Sequence, residues 1–447
     1  MIERLEKFAG ELSGFLWGAP LLVLLVGTHL FLTVRLGFIQ RYLLPALRIT
    51  FRRSSGGDGD ISHFAALMTA LASTVGAGNI LGVAVAIGAG GPGAVFWMWF
   101  TGVFGMATKF AEAILAVQYR EKNAKGQMSG GPMYALKNGL GQAWLGILFA
   151  IFTAVAAFGI GNMFQGKAVA ETVVGLLPEM DPYWVKVGVG LLMASAVAAV
   201  VFGGIRSISN FCNFLVPFMV IAYIGSCLTI ILMHLPELPG ALKLIFTDAF
   251  SGSAVAGGGL GAVIQAGVRR GLFSNESGLG SAPIAAAAAK TTNPVQQALV
   301  SMTGTFWDTV VVCALTGLAL VMTGAWSSGA EGMAMTQQAF ASIPYVGKGL
   351  LSLGLITFVF STMLGWSYYG EKAVEYLGGI SFIPAYRVLW VIVVYLGATM
   401  PSGLVIDFSD SANALMAIPN LISLLLLSGV VAKITNRDLA DPKTFHG

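Results

Sequence analysis

Long apolar stretches alternate with short polar loops along most of the chain. Several of these stretches hold about 20 residues, the length at which a helix crosses the hydrocarbon core of a bilayer. In lipid the backbone must satisfy its own hydrogen bonds, and the stretches lack a period-2 alternation, so they indicate helices rather than a β-barrel. The pattern predicts eleven membrane-spanning helices, at residues 13–34, 64–88, 93–118, 143–175, 184–203, 210–233, 251–272, 296–322, 349–371, 385–400 and 407–431.

The composition favours a polytopic membrane protein and excludes a soluble domain. Of the 447 residues, 56% are hydrophobic and only 10% are charged, whereas an ordinary soluble domain has about 25% charged residues. All three cysteines lie inside apolar stretches and the four histidines are scattered, so we expect no disulfide framework and no metal cluster. The N-terminal residues mix acids with bases before a long apolar run, which favours a retained first helix over a cleaved signal peptide.

The basic residues of the loops predict the orientation of the chain. An odd number of spans places the termini on opposite sides, and cytoplasmic loops carry an excess of lysine and arginine. Of the 25 such residues, eighteen fall on the side of the C-terminus, including Arg269 and Arg270, five fall on the other side, and Lys109 and Lys167 lie within helices. We therefore expect a cell inner (plasma) membrane protein whose N-terminus is outside and whose C-terminus is cytoplasmic.

Glycine-rich sequences interrupt two of the predicted helices. Gly76 and Gly78 lie near the middle of the second helix, and the seventh helix contains the glycine-rich stretches 254–261 and 265–271. Glycine is the poorest helix former after proline, and glycine-broken spans at corresponding positions of two halves are typical of a transporter binding site. The alternative is that these glycines only allow neighbouring helices to pack closely.

The two interruptions divide the chain into repeats. Residues 64–233 and 251–431 would each hold five helices, and because five is odd, the second half would be inverted relative to the first. Residues 1–63 would form an extra N-terminal transmembrane helix with a basic cytoplasmic loop, and residues 432–447 a cytoplasmic tail. The predicted fold class is therefore an all-α membrane protein, with a 5+5 inverted repeat preceded by one extra helix.

A helix that unwinds inside the membrane frees backbone groups for binding. The freed N–H groups favour a carboxylate, and the freed carbonyl groups favour a cation or an ammonium group. Two glycine-containing stretches, at residues 76–82 and 161–168, look like nucleotide-binding loops but lack the sequence and the neighbouring elements that such loops need. We therefore expect an ion gradient to supply the energy, with no nucleotide, no nucleic acid and no catalytic centre.

Four motifs resemble those of the alanine or glycine:cation symporter family. They are Gly-Gly-Pro-Gly-Ala-Val-Phe-Trp-Met-Trp at 90–99, Ser-Gly-Gly-Pro-Met-Tyr at 129–134, Arg-Gly-Leu-Phe-Ser-Asn-Glu at 270–276 and Ser-Thr-Met-Leu-Gly-Trp-Ser-Tyr-Tyr-Gly-Glu-Lys at 361–372. The resemblance covers nearly the whole chain. It implies a leucine-transporter-like fold, with one extra helix before the ten-helix inverted repeat, and sodium-coupled uptake of small neutral amino acids by alternating access.

The resemblance also implies a substrate site in the unwound part of the second helix. There the carboxylate of the amino acid would be held by Thr74, Gly76, Gly78 and Asn79. Gln165 is a neutral polar side chain at depth in the membrane, so it should face the protein interior. Its amide can serve a zwitterion without changing the net charge of the site, so we expect Gln165 to contact the substrate.

For the coupling ion, the resemblance implies a site between the second and the ninth helix. The carbonyl groups of Ala72 and Val75 would meet the hydroxyl groups of Ser361 and Thr362 around one sodium ion, with Thr362 also next to the substrate. All four are hard oxygen ligands, which suit a small hard cation. The alternative is that the two hydroxyls only bond back to their own helix. No cofactor other than the coupling sodium is expected.

Trp366 follows Thr362 by four residues, so the two side chains lie on one face of the ninth helix. A large ring at this position would cap the cavity and favour a substrate with a small side chain. The alternative is a tryptophan of the aromatic belt at the membrane interface.

The acidic residues within helices divide into paired and unpaired groups. Glu112 lies three residues after Lys109, and Glu171 four residues after Lys167, so each pair can neutralise itself on its own helix. Asp308 lies near the middle of the eighth helix without a local base. It is therefore either a functional group or the partner of an arginine at position 269 or 270.

Within the transporter class, the sequence leaves the coupling ion and the substrate open. Proton coupling through Asp308 is one alternative, and a larger substrate such as glutamine is another. An ion channel is least favoured, because the chain has neither a repeated filter sequence nor a charged pore ring. The choice among glycine, L-alanine and D-alanine, the ion stoichiometry and the oligomeric state are not predicted.

Overall fold

Almost all of the described chain is helical. The computed structural model describes residues 2–52, 56–251, 259–441 and 443–446. The first half holds α1 (Ile2–Leu16), α2 (Ala19–Arg35), α3 (Leu43–Thr50), α4 (His63–Thr74), α5 (Val83–Gly90), α6 (Ala94–Gln118), α7 (Pro132–Tyr134), α8 (Ala143–Phe158), α9 (Phe164–Leu176), α10 (Pro182–Val201) and α11 (Gly204–Met233). The second half holds α12 (Leu238–Ser251), α13 (Gly259–Asn275), α14 (Pro283–Ala287), α15 (Pro294–Thr305), α16 (Ala314–Met322), α17 (Gly332–Phe340), α18 (Gly347–Gly378), α19 (Ile383–Thr399), α20 (Ser402–Leu426), α21 (Ser428–Leu439) and α22 (Lys443–His446).

Shorter segments connect or interrupt these helices. Turns of 3-10 helix occupy Ile39–Tyr42, Leu235–Glu237, Ala325–Ser327 and Ile380–Phe382. Segments of π-helix occupy Gly78–Gly82, Ala135–Gly139, Gly159–Met163 and Phe306–Cys313. Two short strands, β1 (Glu121–Lys122) and β2 (Met128–Ser129), form an antiparallel pair in which Glu121 lies opposite Ser129. Turns of π-helix are rare and often lie at functional sites.

The helices that could span a membrane number from seven to ten in the described ranges. Seven single helices are long and apolar enough, namely Ala94–Gln118, Ala143–Leu176, Pro182–Val201, Gly204–Met233, Pro294–Met322, Gly347–Gly378 and Ile380–Thr399. Three bent pairs also qualify, namely Arg4–Leu16 with Ala19–Arg35 at 44°, His63–Thr74 with Gly78–Gly90 at 54°, and Ser402–Leu426 with Ser428–Leu439 at 59°. The all-α membrane protein is thereby confirmed, and the count of eleven spans stays a prediction.

The outer surface of the helix bundle is strongly apolar. Leu192, Phe214 and Ile221 are 71%, 77% and 71% exposed, although each is a large hydrophobic side chain. The interior holds other large rings, since Trp17 and Trp390 are fully buried. A soluble protein rarely exposes contiguous apolar surface on this scale, so the outer surface suits the hydrocarbon of a bilayer.

The first predicted helix, 13–34, is divided in the structure. Residues up to Leu16 belong to α1, and α2 starts afresh at Ala19 after Trp17 and Gly18. Pro20 lies in the first turn of α2, where a missing N–H group is harmless, but the same proline would disrupt the interior of a continuous helix. The proline therefore explains why one apolar run forms parts of two helices.

The seventh predicted helix, 251–272, also differs from the prediction. Residues 252–258, which include most of the first glycine-rich stretch, lie outside the described residues. The later glycines lie in α13, which is continuous, and two of them, Gly267 and Gly271, pack against α6. A methyl group added at Gly267 would come within 2.6 Å of Trp97 Cβ, and one at Gly271 within 3.2 Å of Met98 Cα. For these glycines the close-packing alternative is correct.

The second break lies further along the chain, between α13 and α14. Three residues there, Glu276, Gly278 and Gly280, have positive φ angles of 57°, 88° and 85°, in the left-handed region that favours glycine. Arg269 and Arg270 consequently lie inside α13 rather than in a cytoplasmic loop. Without these two residues, the loops on the predicted cytoplasmic side still carry more lysine and arginine than the loops on the other side.

Candidate functional site

The first break separates α4 from the π-helical turn that precedes α5. The helix ends at Thr74, and Val75 adopts an extended conformation with φ −79° and ψ 91°. Gly76 fits where no other residue would, since a methyl group added to it would lie 2.5 Å from Thr362 Oγ1 and 3.2 Å from Gln165 Oε1. The break predicted from Gly76 and Gly78 is therefore present, and glycine is needed there for space.

Two neutral side chains cover the N–H groups that the first break frees. The amide of Gly76 donates to Asn79 Oδ1 at 2.8 Å, and the amide of Ala77 donates to Gln165 Oε1 at 3.1 Å. Gln165 is itself oriented by its Nε2, which donates to the carbonyl of Ile160 at 2.9 Å. Both acceptors are neutral, so a carboxylate could replace them as a stronger acceptor for the same N–H groups.

Four residues predicted to bind sodium come together across this break. The Ser361 hydroxyl lies 3.4 Å from the carbonyl oxygen of Ala72, and the Thr362 hydroxyl lies 3.3 Å from that of Val75. Ser361 also bonds back to the carbonyl of Phe358 at 2.8 Å, as the alternative supposed. The 3.3–3.4 Å contacts are long for O–H···O hydrogen bonds, and the set of neutral oxygens has the chemistry that a hard monovalent cation needs.

Of the remaining predicted substrate contacts, Thr74 and Gly78 lie at the same break and Trp366 lies on α18. Thr74 is buried at the end of α4, and Gly78 packs against the ring of Phe273, with 3.4 Å between an added methyl group and Cδ1. Trp366 is fully buried on α18 and stacks edge-on against Tyr369 with 5.4 Å between ring centroids. Its ring therefore faces the protein interior and not the lipid interface.

A π-helical turn brings the backbone close to Trp366. Gly161 lies in the segment between α8 and α9, and any side chain at this position would overlap the Trp366 ring. The sequence gave no separate signal for this contact, because a glycine inside an apolar stretch is more often explained by helix packing.

Asp308 contacts the first break directly. Its carboxylate accepts hydrogen bonds from Asn79 Nδ2 at 2.7 Å, from Ser274 Oγ at 2.9 Å and from Thr309 Oγ1 at 2.6 Å. The suggested pairing with Arg269 or Arg270 is wrong. Sequence reasoning missed Ser274 and Thr309, since a serine and a threonine in a helix carry no specific signal for an acidic partner.

The second break is filled by a carboxylate of the protein itself. Glu112 Oε1 accepts hydrogen bonds from the amides of Gly278 and Gly280, at 3.0 and 3.1 Å, and from Asn420 Nδ2 at 2.7 Å. Although the sequence spacing suggested a pair with Lys109, Glu112 thus bonds to backbone amides in the break between α13 and α14. Lys109 and Glu112, both in the described chain, are not within ion-pair distance.

The other predicted intrahelical pair does form. Lys167 Nζ lies 3.7 Å from Glu171 Oε1. The same ammonium donates to the carbonyl of Met400 at 2.6 Å, which connects α9 to the turn between α19 and α20. These contacts support the structural interpretation of Lys167.

Comparison with known proteins decides the family. The family model described as the sodium:alanine symporter family matches residues 2–443. This chain belongs to that family. It is therefore a sodium-coupled amino-acid symporter in a membrane and not an enzyme, as its sequence predicts.

The relatives and a solved structure agree with this assignment. The symporter is 50% identical over 440 residues to the sodium/alanine symporter AgcS of Methanococcus maripaludis, covering 96% of each chain. It is 37% identical over 438 residues to the probable sodium/glutamine symporter GlnT of Bacillus subtilis, covering 96% of this chain and 90% of that protein. The crystal structure of MhsT in complex with L-phenylalanine matches with a TM-score of 0.63 at 15% identity, covering 84% of this chain and 90% of that chain. The last match shows the leucine-transporter-like fold.

In the symporter, one arginine joins the ends of α4 and α14 that lie away from the breaks. The Arg120 guanidinium donates to four carbonyls, those of Ala287 at 2.8 Å, Ala289 at 2.7 Å, Asp58 at 2.8 Å and Thr291 at 3.0 Å. The two backbone segments also pair in an isolated parallel bridge. Burial lowers the pKa of Arg120, and two nearby carboxylates oppose this effect. The ends of α4 and α14 could separate only if these hydrogen bonds broke.

A second polar cluster joins α13 to α20 and to the N-terminal helices. Asp410 is fully buried and pairs with Arg269 at 2.5 Å and with Arg270 at 3.1 Å. Arg269 also donates to Ser13 Oγ at 2.5 Å, and Trp17 Nε1 donates to the carbonyl of Asp410 at 2.8 Å. The extra N-terminal segment is therefore bound to the helix that leads into the second break.

Proposed function

We propose that the symporter couples the entry of sodium to the uptake of a small neutral amino acid, alanine or glycine, across the cell inner membrane. The main support is the pairing of the Ser361 and Thr362 hydroxyls with the carbonyls of Ala72 and Val75 across the first break. The name of the relative AgcS, a sodium/alanine symporter, supports the same substrate and ion.

The substrate carboxylate would bind the amides of Gly76 and Ala77. It would displace Asn79 and Gln165, whose neutral oxygens now accept these N–H groups. A helix start inside the membrane favours this exchange, because its free N–H groups and the macrodipole both attract an anion. Thr74 and Gly78 flank the same position and would line the carboxylate site.

The side chain of the substrate would point toward a wall of large rings. Trp366, Phe273 and Phe164 lie near the break, and the latter two rings contact each other with 5.1 Å between centroids. The contact between Trp366 and Gly161 leaves little freedom for the indole to move aside. This wall favours a methyl group or a hydrogen atom over a long side chain.

Sodium and substrate would support one another through charge. The four sodium oxygens are all neutral, so the bound ion keeps a full positive charge next to the carboxylate of the substrate. A neutral substrate carried with one sodium ion moves one charge, and a potential of 100 mV contributes about 2.3 kcal/mol to that movement. This energy corresponds to a roughly fifty-fold gradient of substrate.

The topology follows the same proposal. Residues 64–233 and 251–431 would form the two inverted five-helix repeats, after the extra helix within residues 1–63 and before the tail 432–447. The N-terminus would lie outside, and the C-terminus in the cytoplasm. The Arg120 cluster would then close the site toward the cytoplasm, and the Asp410 cluster would close it toward the outside.

Uptake into proteoliposomes tests the proposal. Labelled alanine should accumulate when a sodium gradient is imposed, and an inside-negative potential should increase the accumulation. Imposed proton or lithium gradients of the same size should drive much less. Equal accumulation under a proton gradient without sodium would overturn the proposal of sodium coupling. Stronger competition by glutamine than by glycine would overturn the proposal that the substrate is a small amino acid.

One alternative is proton coupling through Asp308, which the 2.7 Å contact with Asn79 favours. A buried carboxyl group can load and release a proton, whereas the carbonyls and hydroxyls of the proposed sodium site do not titrate near neutral pH. Asp308→Asn keeps the shape and removes the titration. We expect sodium-driven accumulation to survive in the folded variant. A variant that exchanges alanine but accumulates it under no gradient would support the alternative.

A further inference from the structure

A charged cavity lies apart from both breaks, where four helices end. Its volume is about 440 Å³, and it lies among the ends of α10, α11, α18 and α19 and the loop before β2. Its lining includes four basic residues, Lys125, Arg206, Lys372 and Arg387, and two acidic ones, Glu371 and Glu375. The cavity therefore carries a net positive charge of two, and the transport site does not use it.

Ion pairs within the cavity wall leave two positive charges without a partner. Arg387 binds Glu371 through two hydrogen bonds of 2.7 Å, and Lys372 pairs with Glu375 at 3.0 Å. Within the described residues, the exposed side chains of Lys125 and Arg206 form no ion pair. The surplus positive charge is therefore concentrated at these two positions.

The backbone of α11 adds a second source of positive potential. Residues 203–206 line the cavity and form the start of this helix, which has 30 residues. The first N–H groups of a helix have no partner within it, and the N-cap residue, Gly203, has no side chain to accept them. Such a helix start is an anion-binding site, because the N–H groups and the helix dipole act together.

A buried hydroxyl group provides an independent indication of a ligand. Tyr368 lines the cavity and is only 2% exposed, and its hydroxyl has no hydrogen-bond partner in the described part of the chain. Buried polar groups are normally satisfied. A ligand that carries acceptor oxygens would satisfy this hydroxyl together with the two free cations.

The surroundings of the cavity indicate that its ligand comes from the bilayer. Ile380 and Ile383 form part of the cavity wall. Phe202 and Phe382, which are next to cavity-lining residues in the sequence, are 51% and 57% exposed. All these residues lie where predicted membrane spans end, which is the depth of lipid headgroups. Basic pockets between transmembrane helices on the cytoplasmic side are known to bind anionic lipid headgroups.

We infer that this cavity binds the phosphate headgroup of an anionic phospholipid, held by Lys125, Arg206, the start of α11 and the Tyr368 hydroxyl. The bound headgroup would connect the ends of α11 and α18, the helices that contact each other at Met219 and Ser361 beside the proposed sodium site. Binding should therefore stabilise the folded bundle.

A thermal-stability titration of the purified full-length protein in a neutral detergent tests this inference. Dioctanoyl phosphatidylglycerol should raise the midpoint of unfolding in a saturable way. Two controls should raise the midpoint much less. They are dioctanoyl phosphatidylcholine, whose choline group neutralises the charge of the phosphate, and glycerol 3-phosphate, which has no acyl chains. Lys125→Gln and Arg206→Gln should each need about tenfold more phosphatidylglycerol, the size expected for one charge-assisted contact. Tyr368→Phe should have a smaller effect in the same direction.

Lys433→Gln is the matched control, since it removes one exposed charge from the same predicted side of the membrane. It should leave the titration unchanged. An unchanged titration in both Lys125→Gln and Arg206→Gln would overturn the site, and an equal loss in Lys433→Gln would show only non-specific attraction. If glycerol 3-phosphate shifts the midpoint as much as the lipid does, the ligand is a free anion, and the inference of a lipid ligand is overturned.

Discussion

The two helix breaks free the same backbone groups but satisfy them differently. In the first break, the neutral side chains of Asn79 and Gln165 accept the free N–H groups. In the second, the carboxylate of Glu112 accepts those of Gly278 and Gly280. The second break thus contains, as a permanent part of the protein, the kind of group that the first break is proposed to bind from outside. On the proposed function, the second break would therefore be a structural element, and the first break would be available to a substrate.

The largest effect should follow from removing the carboxylate of the second break. Glu112→Ala would leave two buried amides and the Asn420 side chain without their acceptor, so the protein should lose about 3 kcal/mol or more of stability. Expression and the unfolding temperature of the purified protein measure this loss. Glu112→Gln keeps one acceptor oxygen and should be clearly more stable than the alanine variant. If Glu112→Ala folds as well as the wild type, the second break does not depend on its internal carboxylate.

A smaller but specific effect should follow from placing a carboxylate in the first break. Gln165→Glu would give the amide of Ala77 the same kind of partner that Gly278 and Gly280 have. A fixed negative charge would then repel the substrate carboxylate, and uptake should fall about a hundredfold, which corresponds to about 2.7 kcal/mol.

The matched control is Gln165→Met, which removes the amide without adding charge and should reduce uptake much less. Gln165→Glu should unfold at a temperature close to that of the wild type, and Gln165→Met somewhat lower, because it leaves the amide of Ala77 without an acceptor. Normal uptake by a folded Gln165→Glu protein would place the substrate carboxylate somewhere else and would remove the functional difference between the two breaks.

The sequence predicted the first break far better than the second, for a physical reason. Gly76 and Gly78 lie where the chain unwinds, so their positions within the predicted helix located the break. In the second half the glycines of α13 serve close packing against α6, while the chain unwinds later, at Glu276, Gly278 and Gly280. Glycine serves both purposes equally well, and its position cannot distinguish them without the neighbouring helix.

The all-α class, the family and the unbroken apolar helices were predictable, because the length of apolar runs and the motifs depend on local sequence. Contacts between distant side chains were not. Glu112 lies 166 residues from Gly278, and its spacing from Lys109 suggested a local pair that does not form. In the same way, Arg269 and Arg270 were assigned to a loop, and only the position of Asp410 in the fold explains why two arginines lie inside a helix.

The smallest effect concerns the carbonyl end of the first break, where the carbonyls of Ala72 and Val75 face hydroxyls of α18. Ser361→Ala and Thr362→Ala each remove one oxygen ligand, so the sodium concentration for half-maximal uptake should rise about tenfold, or about 1.4 kcal/mol. The protein should stay folded, because both hydroxyls make only long contacts to α4. Ser367→Ala is the control, since this buried hydroxyl on the same helix bonds, among the residues that the structure describes, only to the carbonyl of Leu364. Thr362→Ser should restore most of the affinity. If both alanine variants keep the sodium dependence of Ser367→Ala, the ion binds elsewhere, and the first break serves the substrate alone.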